Sequence, residues 1–243
     1  MILDEARIDP GLRVYAIGDV HGCVDQLRQL IGQIDDDLSL YPANQYKLVF
    51  LGDYVDRGPD NRAVIDYLIE LEKSERDCVF LLGNHDERIS VFLENPDLVW
   101  DDVLRWGGAQ TLADYGIVIR PGELHRELSE RFAHSMPASH KRFLGGLKRF
   151  HIEGDYFFCH AGVRPGVRLS DQSAHDLIWI RSDFLLHEHP FEKVIIHGHT
   201  PMEAPEIRAN RINVDTRCYD TGTLTAVVLE AGSQRFIQTN VTG

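Results

Sequence analysis

Apolar runs that break off into glycine and ligand-type side chains recur along this 243-residue chain. "LVFLGDYVDRG" (48–58) ends its greasy run by crowding Asp53, Asp56 and Arg57 into one short turn. Two unpaired carboxylates at such a place cost free energy, so something positive is expected to hold them. "IGDVHG" sets Asp19 and His21 in the same context, and "LGNHDE" does so for Asn84 and His85. Two later runs repeat the arrangement with His160 in "FFCHAG" and His199 in "VIIHGHTP". Asp, His, Asp, Asn, His, His is a nitrogen and oxygen set without sulfur, suited to manganese, iron, cobalt or zinc. A lone histidine at a strand end is more often structural, but five such turns in one chain point to a metal centre. Asp19 and His21 stand two apart, so an extended backbone would aim both the same way.

Those turns need elements that bring them together. "RVYAIG" (13–18), "YKLVFLG" and "DCVFLLG" (77–83) read as buried strands. A helix over "VDQLRQLIGQI" carries Leu27, Leu30, Ile31 and Ile34 on one face. Pro59 is read as opening a second helix with Val64, Ile65, Leu68, Ile69 and Leu71 as its stripe. The β-α-β-α-β order predicts an α/β protein with a parallel sheet, whose strand carboxyl ends face a common crevice. About 86–147 reads as a helical insertion bordering that crevice. Strands follow in "YFFCHAG", "KVIIHGHT", "RINVD", "LTAVVLE" and "RFIQTNV", many of them apolar on both faces. One domain over 1–243 is expected, without internal repeat or linker.

Composition narrows the function classes. A net charge of −13 disfavours a nucleic-acid or anionic-membrane binder. No apolar run approaches a bilayer span and the start of the chain lacks a signal pattern, so a cytoplasmic location is expected. Cys23, Cys78, Cys159 and Cys218 are scattered without a C-x-x-C pair, which suggests neither a disulfide framework nor a thiolate zinc site. Neither G-x-G-x-x-G nor G-x-x-x-x-G-K-[ST] occurs at these turns, so Rossmann and P-loop nucleotide sites are unsupported.

In order, G-D-x-H-G, G-D-x-V-D-R-G, G-N-H-[DE], H-A-G and G-H-T resemble the motifs of the calcineurin-like metallophosphoesterases, running from Gly18 to Pro201. Within them the chain is similar to the phosphoprotein phosphatase family on its bacterial and bacteriophage lambda branch, to which symmetrical diadenosine tetraphosphatases are related. The resemblance implies two packed mixed β-sheets with helices outside, and a pair of divalent ions. Manganese is the first choice, with iron, zinc, cobalt or nickel as alternatives. It implies that Asp19, His21 and Asp53 hold one ion, and that Asp53, Asn84, His160 and His199 hold the other. His197, the neighbour of that last ligand in "HGHTP", is read as supporting or structural.

Two such metals can activate a bridging hydroxide for in-line attack and clamp the phosphoryl oxygens. Asn84 ligates without cancelling charge, and with Arg57 and Arg181 (in "LIWIRSD") the site would reach about +3, enough to receive a phosphate dianion. By resemblance His85 is the general acid, Asp56 its orienting partner, and Arg57, Arg181 and Asn84 the phosphate-binding groups. The expected substrate is a Ser/Thr phosphoprotein. The alternative is a dinucleoside tetraphosphate of the symmetrical tetraphosphatase type, and an inactive phosphate-binding module is a third possibility. Where lambda-like relatives carry D-T-G-A, this chain has Arg217 and Cys218. A rearranged loop is expected there, with a third guanidinium at the mouth.

Overall fold

The computed structural model describes residues 1–239. Its strands are β1 (Leu12–Ile17), β2 (Gln45–Phe50), β3 (Cys78–Phe80), β4 (Phe150–Glu153), β5 (Tyr156–Cys159), β6 (Val194–His197), β7 (Glu206–Ile207), β8 (Arg211–Asn213), β9 (Thr225–Glu230) and β10 (Ser233–Gln238). They form two mixed five-stranded sheets, ordered β10-β9-β1-β2-β3 and β4-β5-β6-β8-β7. Within the first, β1, β2 and β3 are parallel; within the second, β5, β6 and β8 are. Antiparallel strands complete both sheets.

The period of two along each strand explains why both faces are apolar. Val14, Ala16, Val49 and Leu51 of the first sheet share a core with Tyr156, Phe158, Val194, Ile196 and Ile212 of the second. Tyr15, Ile17, Leu48 and Phe50 point the other way, onto helices α1 (Val24–Leu40) and α2 (Asn61–Lys73). Phe157, Cys159 and Ile195 face α8 (Ala174–Trp179) and α9 (Ser182–Leu185). The expected stripes of α1 and α2 are all buried.

Between β3 and β4 run five helices: α3 (Asn84–Glu94), α4 (Pro96–Arg105), α5 (Gly108–Asp114), α6 (His125–Ser135) and α7 (Ala138–Gly145). The last, α10 (Cys218–Thr221), follows β8.

Four local expectations differ from the structure. The strand expected over 77–83 pairs regularly only at Cys78–Phe80, and Leu81 then bridges to Lys148. Pro59 does not open α2: Asp60 caps it, accepting from the Ala63 N–H at 2.9 Å. β4 and β7 were not expected; both are short edge strands with exposed residues, and so lack a continuous apolar signal. The expected strand "RFIQTNV" (235–241) ends at Gln238, and residues 240–243 lie outside the described residues. Among the described residues no helix is long and apolar enough to cross a membrane.

Candidate active site

The turns after β1, β2 and β3 and those after β5 and β6 converge at one end of the two sheets. The β1 and β2 turns are stitched together, the N–H groups of Val20 and His21 both donating to the Asp53 carbonyl at 3.1 and 2.9 Å. Asp86, which the sequence did not single out, clamps the turns after β2 and β3. Its buried carboxylate accepts from the N–H groups of Asp53, Tyr54 and Gly83 at 2.8, 3.0 and 3.0 Å. Burial, then the nearby Asp53, pushes Asp86 up to about 7.

His21 is not extended, as the spacing argument required: its φ is 42°, in the left-handed region. So are Asp53 (53°), Asp56 (72°), Arg57 (69°) and His199 (63°). For a residue with a Cβ this conformation costs roughly 1–2 kcal/mol. The turns are therefore held against local preference in order to aim these side chains inward. Two glycines permit the crowding. A Cβ on Gly198 would lie 2.0 Å from an Asp19 carboxylate oxygen, and one on Gly83 would lie 2.1 Å from Asp53 Oδ1.

Asp53 lies at the middle. Its Oδ2 is 3.5 Å from His21 Nε2, 3.4 Å from His160 Nε2 and 4.0 Å from His85 Nε2. Donor atoms of Asp53, His160 and His199 lie within 4.8 Å of one another, as do those of His21, Asp53 and His85. Asn84 Oδ1 is 2.9 Å from His160 Nε2 and 2.7 Å from His199 Nδ1. Asp19 belongs to neither three-residue cluster; its carboxylate accepts from the His199 N–H at 3.1 Å and neighbours Asp215.

These residues fit a pair of cations on three grounds. Asp19, Asp53 and Asp215 are all buried, and among the described residues none forms an ion pair with a lysine or arginine. His21 Nδ1 donates to the Val55 carbonyl at 2.7 Å and His160 Nδ1 to the Leu51 carbonyl at 2.9 Å. Those bonds turn each Nε2 inward; His21 Nε2 has no hydrogen-bond partner, and His160 Nε2 faces the Asn84 amide oxygen. The field asks for positive charge as well. Burial, then Asp215, pushes Asp19 well above the usual carboxylate range. Burial also opposes a charged Asp53, but His160, His85 and His21 outweigh it and hold that carboxyl well below its usual range. Against burial, Asp53 and Asp19 lift His160 to about 9, whereas burial and then His160 depress His199 to about 2.

A cation must displace the proton that His160 holds below pH 9. Manganese affinity should therefore rise about tenfold per pH unit up to about pH 9 and release a proton on loading. Calorimetric titration in buffers of different ionisation heat measures this, and a pH-independent affinity without proton release would contradict it.

Asp56 and His85 form a dyad beside the clusters. Arg57 Nη2 lies 3.0 Å from His85 Nε2, and a guanidinium can only donate. His85 Nε2 therefore accepts, and Nδ1–H donates to Asp56 Oδ2 at 2.7 Å. Asp56 is fixed in turn by Thr111 of the inserted helices, whose hydroxyl donates to Oδ1 at 2.6 Å and accepts from the Asp56 N–H at 3.0 Å. Arg57 also lies over the Tyr219 ring, 4.7 Å from its centroid. On the opposite side Arg181 Nε donates to His199 Nε2 at 3.0 Å. Two guanidiniums thus flank the group of carboxylates and imidazoles.

His197 stands apart from this group. It is buried with its ring edge-on to Phe184 at 4.9 Å, Nδ1 meets the Gly198 carbonyl, and burial pushes it down to about 3. At Arg217 the loop has not abandoned the glycine-type backbone: φ is 55°. The guanidinium turns to Asp220 at 3.7 Å, not to the other two arginines. Arg217→Gly should raise the unfolding free energy by roughly 0.5–1 kcal/mol, the left-handed penalty offset partly by glycine's entropy. Urea unfolding tests this, and an unchanged or lowered stability would count against it.

Sequence reasoning missed Asp86, Asp215, Thr111 and the carbonyls of Leu51 and Val55. Asp215 had a readable signal, since "NVDT" ends another buried strand.

Comparison with known proteins agrees with this geometry. The family model for calcineurin-like phosphoesterase matches residues 12–228. A curated relative from Oceanobacillus iheyensis, bis(5'-nucleosyl)-tetraphosphatase PrpE (asymmetrical), is 26% identical over 235 residues, covering 88% of both chains. The protein of that name from Anoxybacillus flavithermus is 26% identical over 232 residues, covering 87% of this chain and 88% of its own. Among solved structures, a candidate diadenosine tetraphosphatase superposes with a TM-score of 0.66 at 19% identity, covering 97% of this chain and 99% of that one. A serine/threonine phosphatase from Saccharomyces cerevisiae gives 0.58 at 14% identity, covering 97% and 82%. Family members use a pair of divalent ions, for which the ligand-type clusters described above are candidates. The chain belongs to the calcineurin-like phosphoesterase family and is a metal-dependent phosphoester hydrolase.

Proposed function

We propose that the protein hydrolyses a phosphoanhydride bond of dinucleoside polyphosphates, with bis(5'-nucleosyl) tetraphosphates as the substrate class. The observation that carries this choice is the name shared by relatives that align with 87–88% of this chain. It reverses the order expected from sequence, which put a Ser/Thr phosphoprotein first. The names of these relatives also specify asymmetrical rather than symmetrical cleavage. Phosphoprotein hydrolysis is the second reading, supported by the fold likeness to the yeast phosphatase.

In this reading a single domain carries the site. Asp19, His21 and Asp53 would hold one ion; Asp53, Asn84, His160 and His199 would hold the other. Manganese is the first candidate. When bound, the ions supply Lewis acidity and an activated water. Asp53 would be the shared ligand, since its left-handed backbone places it between two imidazole sets. His85 is kept for proton transfer, because the Arg57 guanidinium at its Nε2 repels a cation there. Arg57 and Arg181 leave their imidazole partners for the phosphoryl oxygens and fix the chain in line. Once Arg57 has turned to phosphate, His85 Nε2 is free to take up a proton from solvent; Asp56 stabilises the resulting imidazolium, which passes that proton to the leaving oxygen.

A parallel assay of diadenosine tetraphosphate, a phosphoseryl peptide and p-nitrophenyl phosphate tests the reading. The expected result is the highest kcat/KM on the dinucleotide, with ATP and AMP as separated products. A higher kcat/KM on the peptide would establish the second reading instead.

A further inference from the structure

Two tryptophans from distant segments meet beside the site. Trp106 caps the carboxyl end of α4 and Trp179 ends α8; their ring centroids are 5.2 Å apart with planes tilted by 45°, and both are half-buried. Trp106 lies 5.9 Å from the His85 ring and Trp179 lies 6.4 Å from the His199 ring. The pair therefore borders both the proton-transfer dyad and the far metal cluster.

Contacts from α3 hold the pair. Trp179 Nε1 donates to Glu87 at 2.8 Å, and the Arg88 guanidinium sits 4.4 Å from the Trp179 centroid and 6.0 Å from that of Trp106. Glu87 and Arg88 belong to α3, the helix that opens with Asn84 and His85. The exposed His175 imidazole, one helical turn earlier, lies nearly parallel to the Trp179 indole, at 18° and 6.1 Å. Recognition of a phosphoryl group alone needs only cations and N–H donors. A fixed aromatic surface at the mouth offers planar π-faces instead, the feature that binds bases without regard to their edges.

We propose that Trp106 and Trp179 form a ledge on which one nucleobase of the substrate stacks, while Arg57 and Arg181 hold its phosphate chain. The inference rests on the dinucleoside polyphosphate reading and makes the ledge its specificity determinant. Because stacking reads the face of a base, adenine, guanine and uracil nucleotides should bind with similar strength.

The test compares ATP with inorganic tripolyphosphate as inhibitors of p-nitrophenyl phosphate hydrolysis at fixed free manganese. Both carry three linked phosphates, and only ATP carries a base. The wild-type protein should bind ATP about 10-fold or more tighter than tripolyphosphate. Trp106→Leu and Trp179→Leu should bring that ratio towards one, while Trp179→Phe, which keeps a ring, retains most of it. A wild-type ratio at or below one would overturn the ledge, as would leucine variants that leave the ratio intact. If diadenosine tetraphosphate is not cleaved but the ratio behaves as expected, the ledge stands and the substrate reading falls.

Discussion

Asp53→Asn lowers turnover by on the order of 10³-fold or more, equivalent to about 4 kcal/mol of barrier, while the fold survives. Asparagine keeps the backbone N–H that Asp86 accepts and an oxygen for the His85 N–H, which reaches Asp53 Oδ1 at 3.0 Å. What it removes is the carboxylate charge shared by the two imidazole clusters, so both ions should bind more weakly at once. Elemental analysis after dialysis should show loss of close to two ions per chain, and chelation of the wild-type protein should reduce it to the same low activity. A variant that retains both ions and normal kcat would refute the central position of Asp53.

His85→Asn separates the proton-transfer role from metal binding, and its effect depends on the leaving group. On an alkyl phosphate, whose alkoxide is a strong base, kcat should fall by about 10²–10⁴, or roughly 3–5 kcal/mol. On p-nitrophenyl phosphate and on a dinucleoside tetraphosphate the leaving oxygen is far less basic, so the loss should be much smaller. Metal content should stay unchanged. Equal losses on all three substrates would make His85 a structural group. If metal were lost as well, the cluster of His21, Asp53 and His85 would be a true ligand set.

The convergence was legible because it is written in short local patterns. A buried run, a glycine and a ligand-type side chain identify the carboxyl end of a strand, and parallel strands share one end. Asp19, Asp53, Asn84, His160 and His199 could be placed together on that ground. The backbone conformation at those turns was not legible. Nothing local distinguishes a histidine at φ 42° from an extended one, and only the surrounding contacts hold His21 there. Thr111 was invisible for a related reason, since its partner Asp56 lies 55 residues earlier and no period or spacing joins them. The Leu51 and Val55 carbonyls carry no sequence signal at all, because every residue has one. The substrate, too, was not written in the motifs, which serve the phosphoryl centre common to both readings.

The candidate ligands come from both sheets: Asp19, His21, Asp53 and Asn84 follow strands of the first, His160 and His199 strands of the second. A pair of ions held by all six would therefore be a cross-link as well as a reaction centre, tying Asp19 to a residue 180 positions away. Closing so long a segment removes conformational freedom from the unfolded chain much as a disulfide does, but reversibly and under the control of metal supply. Chelation should then weaken more than chemistry. Amide exchange should quicken at the carboxyl ends of β1, β2, β5 and β6 together, while the far ends of the same strands, sealed by the inter-sheet core, keep their protection.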